Sequence, residues 1–253
     1  MPDGPFRGTG YGEQQVAWLA KRLPQFTHHL ELVTPARLWH EMKTGQGVCS
    51  IDILDVPERE AWAVFTRHYT LVPGYEILVL KERVPEFAPF RDRTGAIDLD
   101  LLAASDRFVG LYVAGRLYIP QIDSFIESPS RKVRVDAMSA SSKIFEMVAG
   151  RRADFSFANV SEMTYFNALN AATASSGKPW PPLETLPVKG GDEHAHGHIA
   201  CSRDPLGQQM VRAIDGLFDN PAEWDAFFAP ERRWMDGGLE RDDLIRKHQG
   251  ASG

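Results

Sequence analysis

"SSKIFEMVAGRRADFSFAN", residues 141–159, reads as a helix, a stop and a strand in quick succession. Gly150 sits at the C-terminal cap of the helix, and an apolar strand follows over 153–158. A helix feeding directly into a short apolar strand is the building unit of an α/β protein. The stretches on both sides repeat it. Ser161 is the expected cap of a further helix that carries Met163, Phe166 and Leu169. Upstream, "DRFVGLYV" (106–113) is an expected strand ending at Gly115-Arg116, "IDLDLLAA" (97–104) a short helix, and "GYEILVLKER" (74–83) a strongly apolar strand.

The pattern continues toward both ends. Val16, Leu19, Ala20 and Leu23 recur at helical spacing, so 12–23 is an amphipathic helix that Pro24 stops. Thr34 followed by Pro35 starts a second helix, 35–44, with Gly45 just past its end. "GVCSIDIL" (47–54) is a strand. "DVPEREAWAVF" (55–65) is an expected helix, with Asp55 and Glu58 in capping-box spacing. Near the other end, "HIAC" (198–201) is a strand and Asp204-Pro205 opens a helix with Met210, Ile214, Leu217 and Phe218. Trp224, Phe227, Phe228 and Trp234 are expected to dock on a core, and the last dozen residues to fray. Two stretches rich in proline and free of periodicity, "VPEFAPFRDRTG" (84–95) and "SSGKPWPPLETLPVKGG" (175–191), read as linkers.

With 253 residues the chain is long enough for one large domain or two lobes. Its 43% hydrophobic and 25% charged content is that of a globular protein. No apolar run approaches the roughly 20 residues needed to cross a bilayer, so no membrane insertion is expected. A formal charge of -6 without a basic stripe argues against nucleic acid as a partner. The N-terminal "MPDGPFRGTG" has no apolar core of a secretory signal. "GTGYG" (8–12) lacks the spacing of a dinucleotide loop. The two cysteines, Cys49 and Cys201, fit no zinc pattern. In an oxidising compartment they can pair; in a reducing one both would be buried small hydrophobes.

"GGDEHAHGHIACSRD" (190–204) looks like a metal site. Extended backbone puts His194, His196 and His198 on one face, and three histidines suit Zn²⁺, Ni²⁺ or Cu²⁺. Same-face neighbours on a strand are about 7 Å apart, so three in a row do not converge on one ion without a bend. The stretch is therefore read as a polar crossing into a buried strand. No cofactor is expected, and the three histidines stay as the metal candidates.

The ordered set "VPER" (56–59), "VGLYVAGR" (109–116) and "MVAGRRADF" (147–155) resembles the bacterial extracellular solute-binding proteins of family 3. These are periplasmic receptors related to the amino-acid receptors of ABC transporters. The likeness runs from about residue 10 to 220. It implies an α/β fold of two lobes with a cleft and two hinge crossings. Lobe 1 would comprise residues 1–82 and 195–253, and lobe 2 residues 83–194. The family's first lobe 1 strand has no counterpart here, and an open sheet edge, with poor solubility or strand exchange, is the expectation if the chain is whole. By resemblance, Arg59 pairs with a ligand carboxylate, and the turn at Gly115, Arg116 and Tyr118 contacts the ligand. Asn159 stands where the family places an aspartate for the ligand's ammonium, which disfavours an ordinary α-amino acid. Asp52 either supplies that missing charge or ends a strand. From spacing alone, Arg59 is either a surface arginine paired with Glu58 or Glu60, or half of an anion site.

The implied function is capture of a small polar or anionic solute in the periplasm by a monomer that does no chemistry and works with a membrane permease or a sensor partner. Two alternatives follow from the same scaffold. One is a sensing module for a separate signalling protein. The other is a dehydratase-like enzyme, for which Glu184, Glu193 and His194 are the acid–base candidates.

Overall fold

The computed structural model describes residues 8, 10–173, 179–191 and 195–232. In chain order the elements are α1 (Tyr11–Arg22), α2 (Pro35–Thr44), β1 (Cys49–Leu54), α3 (Pro57–Glu60), β2 (Ala63–Val72) and β3 (Glu76–Leu80). After a 3-10 helix, Lys81–Phe90, come α4 (Leu99–Ala103), β4 (Val109–Val113), α5 (Pro120–Glu127), β5 (Arg134–Met138), α6 (Ser141–Ala149) and β6 (Phe155–Ala158). The chain ends with α7 (Val160–Thr173), β7 (Leu183–Leu186), β8 (Ala195–Ser202), α8 (Pro205–Phe218) and α9 (Pro221–Arg232). They form two compact units, one of Met1–Val72 with Ala195–Gly253 and one of Pro73–His194.

Unit 1 is built on an antiparallel sheet in the order β1-β8-β2. Successive side chains of the central strand face opposite ways. Ile199 joins Leu19 of α1, Leu23 just past its end, Ile214 and Phe218 of α8, and Phe227 and Phe228 of α9. Ala200 faces Met42 of α2, Ile53 and Ala63. Each buried Leu, Ile, Phe or Met side chain here stabilises by about 1.5–3 kcal/mol, so helices on both faces hold this short sheet. Cys49 and Cys201 stand directly opposite each other on β1 and β8 and form a disulfide that spans 152 residues of sequence. Among the described residues β1 has a strand neighbour on one side only.

Unit 2 has the mixed order β5-β4-β6-β3-β7. β4 runs parallel to β5 and β6, while β3 is antiparallel to β6 and β7. Alternation along β3 sends Ile77 and Val79 to one face, with Leu99, Leu102, Ile122 and Phe125. Leu78 and Leu80 go to the other, with Ile144, Phe145, Val148 and Phe166. Both faces are covered, which is why "EILVL" reads as a continuous apolar run.

Several sequence expectations are corrected. The helix expected over 55–65 is the single turn α3, capped by Val56 without a side-chain bond rather than by Asp55. Residues 63–72 are strand β2, held by pairing with β8. "VPEFAPFRDRTG" is not a linker: the 3-10 helix buries Phe87 completely, stacked on Phe108 at 4.7 Å. "LETL" (183–186), inside the second expected linker, is β7 of the unit 2 sheet. The first break between units accordingly precedes β3 rather than following it. Asp192, Glu193, His194 and the C-terminal dozen lie outside the described residues.

Asp204 ties unit 1 together at the start of α8. Its carboxylate accepts the N–H groups of Leu206 (2.8 Å), Gly207 (3.1 Å) and Gly47 (3.0 Å) and the Ser202 hydroxyl. Burial works against the charge, but these donors outweigh it and hold Asp204 below its usual 3.8. Asp215 is lowered likewise against burial, chiefly by His68 and the Arg67 N–H, and Asp98 by Lys189. A carboxylate depressed by folding stabilises fully above its unfolded value and loses that contribution as pH falls through its folded one. The melting temperature is therefore expected to fall below about pH 4, as read by calorimetry from pH 7 to 2.5. Asp204→Asn keeps the cap but removes the titration, and should flatten the fall; an unchanged slope would exclude Asp204 as a source.

Candidate functional site

Four of the six ligand residues expected from the sequence lie in unit 2: Gly115, Arg116, Tyr118 and Asn159. Gly115 turns the chain after β4 with φ 77, a left-handed conformation that suits glycine. The turn delivers Arg116. Its Nη1 donates to Glu162 Oε1 at 2.9 Å and its Nη2 to Ser141 Oγ at 2.5 Å. The guanidinium carbon lies 5.4 Å from the Tyr75 ring and 5.8 Å from the Tyr118 ring. Those rings meet edge to face at 4.7 Å. Burial opposes the charge on Arg116, but Glu162 outweighs it and holds the group above the ordinary guanidinium range. Its remaining N–H groups make no hydrogen bond among the described residues.

Tyr118 supports the turn from beneath. Its ring is buried in the core, its hydroxyl accepts the Val113 N–H at 2.8 Å, and its own N–H donates to both oxygens of Asp123 at 3.1 and 3.2 Å. Burial pushes the phenol up to about 12. Asn159 is a helix cap. Its Oδ1 accepts the Glu162 N–H (3.0 Å) and the Ser161 hydroxyl (2.8 Å), while Glu162 Oε2 accepts the Asn159 N–H (3.2 Å). This is a capping box, and it makes Asn159 rather than Ser161 the start of α7. The same box fixes Glu162 toward Arg116. Glu162, Ser141 and Tyr75 did not emerge from the sequence reading, although the Asn159-x-x-Glu162 spacing carried the signal for the first.

The other two residues lie in unit 1. Arg59 is 6% exposed. Its guanidinium stacks over Trp39 at 4.3 Å and its Nη1 donates to the Leu54 carbonyl at 3.0 Å. Trp62 stands 5.8 Å from Trp39, and Lys43 Nζ lies 5.0 Å from the centroid of the Trp62 ring. Arg59 is thus built into the packing of α2 against the end of β1. Asp52 has φ 55, at the irregularity where two residues of β1 oppose one of β8. An aspartate tolerates the left-handed position of a β-bulge.

Of the histidines, His196 stacks on Tyr69 at 3.9 Å, and His198 Nδ1 bonds the Thr66 carbonyl at 2.7 Å. Their rings are 6.4 Å apart. Among the described residues no group of three His, Cys, Asp or Glu is placed to hold a metal ion; His194 lies outside them.

No protein-family model and no curated protein matches the sequence. Solved structures do match the fold. The ancestral amino-acid-binding protein AncCDT-1, a precursor of cyclohexadienyl dehydratase, superposes with a TM-score of 0.62 at 15% identity, covering 90% of this chain and 85% of that chain. A putative L-cystine ABC transporter protein from Listeria monocytogenes gives 0.61 at 12% identity, covering 89% and 85%. The VFT2 domain of Bordetella pertussis BvgS gives 0.55 at 17% identity, covering 89% and 83%. The fold is the two-lobed periplasmic-binding-protein fold. In this example of the periplasmic-binding-protein fold, no helix among the described residues is long and apolar enough to cross a membrane.

Proposed function

We propose that the protein is a solute-binding protein that captures a small polar molecule, without chemistry, for an ABC-type uptake system. The observation that carries this reading is the Arg116 cluster. A charged planar donor is held rigidly by Glu162 and Ser141 and flanked by two tyrosine rings, with N–H groups left over for a ligand. A few convergent polar groups beside aromatic walls are the usual make-up of a small-molecule site. The fold shared with amino-acid-binding proteins supports it. The Cys49–Cys201 disulfide supports an oxidising compartment, and so a periplasmic setting.

The dehydratase-like alternative draws less from the structure. Glu184 lies on β7 with its Oε2 3.6 Å from Lys81 Nζ, a surface ion pair, and Glu193 and His194 lie outside the described residues.

A thermal-shift screen of metal-stripped protein against amino acids, dicarboxylates, peptides, polyols and divalent metals tests the reading. At a hundred times its dissociation constant a ligand stabilises by about 2.7 kcal/mol, a rise of several degrees. The rise is expected with one class of small organic solute and should be abolished by Arg116→Gln. A response that survives Arg116→Gln would place the site elsewhere.

A further inference from the structure

We infer that Glu162 is the charge-selecting residue of the Arg116 cluster, and that the cluster takes a polar solute of zero net charge in preference to an anion. The inference rests on the solute-binding reading above. An unpartnered arginine between aromatic rings would draw carboxylates and phosphates through bidentate hydrogen bonds. Arg116 is not in that state. Glu162 Oε1 lies 2.9 Å from its Nη1, and both side chains are only 19% exposed. Solvent screens such a pair poorly, so the two charges cancel locally.

The cancellation is built into the fold. The second oxygen of Glu162 accepts the Asn159 N–H at the first turn of α7, so the carboxylate cannot swing away without opening the helix start. Asn159 contributes no charge, and its Oδ1 is occupied by Ser161 and the Glu162 N–H. The next acid, Asp123, is held on the backbone of Tyr118, whose ring lies beside the guanidinium. The cation of the cluster is therefore matched by the Glu162 carboxylate. An anion on the remaining guanidinium N–H groups would lie beside the Glu162 carboxylate and be repelled by it, and displacing Glu162 instead would leave that carboxylate unpaired, which is strongly unfavourable. A zwitterion or an uncharged polar molecule can use the remaining guanidinium N–H groups with the ion pair intact.

Titration calorimetry at low ionic strength tests this with two probe sets: succinate and malonate as dianions, and glycine, alanine, glycine betaine and erythritol as net-neutral solutes. Wild type is expected to bind at least one net-neutral probe more tightly than either dianion. Glu162→Gln can keep the Asn159 N–H bond through its single amide oxygen but leaves Arg116 without its carboxylate, so the melting temperature is expected to fall, while in the folded protein the preference for dianions over net-neutral probes rises at least tenfold. Arg116→Gln in the Glu162→Gln background should remove that gain. A wild type that favours the dianions, or a Glu162→Gln protein with an unchanged preference, overturns the inference and leaves the solute-binding reading standing. If wild type and both variants bind none of the probes and the broader screen is also silent, the solute-binding reading itself fails.

Discussion

Replacing Cys49 and Cys201 together by serine, or reducing the oxidised protein, is expected to lower the melting temperature by about 10 °C. A disulfide removes freedom from the unfolded chain, and the loss grows with the loop it closes. For a span of this length the chain-entropy model gives about 5 kcal/mol, against about 2–4 kcal/mol usually measured. In a protein of this size each kcal/mol is worth about 2–4 °C. The bond joins the two separated chain segments of unit 1 across β1 and β8, so the loss should fall first on that unit. Calorimetry with and without reductant reads it directly. A second, unshifted transition would show unit 2 melting independently. A shift under about 2 °C overall would mean that β1 and β8 stay associated in the unfolded chain.

Gly207→Ala is expected to cost about 1–3 kcal/mol, a fall of several degrees, in spite of alanine's higher helix propensity. A β-carbon there would lie 2.0 Å from the Ser202 carbonyl oxygen and 3.0 Å from its carbonyl carbon. Both are backbone atoms of the strand on which α8 rests, so no rotamer change relieves the contact. The helix must lift from β8, and the Asp204 cap on the Gly207 N–H loosens with it. Gly216, in the same helix, has nothing within 4 Å of its would-be β-carbon. Gly216→Ala should therefore stabilise by up to about 1 kcal/mol. Melting the two variants side by side separates close packing from propensity; two shifts of the same sign would refute the packing argument.

The elements legible in the sequence are those in which one physical signal dominates. Thr34 caps α2 through the Arg37 N–H, and Asp204 caps α8 as its spacing predicts. The apolar run of β3 is a strand covered on both faces. β2 was misread because its alternation is broken: the register slips between Phe65 and Tyr69, and Thr66 turns its hydroxyl to the Ile199 N–H. The 3-10 helix around Phe87 contains two prolines and has no 3.6-residue repeat to detect. At the site, resemblance picks out Arg59, Arg116, Tyr118 and Asn159, and the packing of each is what the sequence does not give. Tyr118 turns inward, Asn159 caps a helix, and the Arg59 guanidinium stacks over Trp39. Glu162 stayed hidden because Ser161, two residues after the real cap, also looks like one.

The Cys49–Cys201 bond also has a topological meaning. All of Pro73–His194 lies within the covalent ring that it closes. Unit 2 is thus part of a closed covalent loop. A protease that nicks the backbone once anywhere inside that ring opens it into an arm and separates nothing; only a second cut, or a reductant, can set a fragment free.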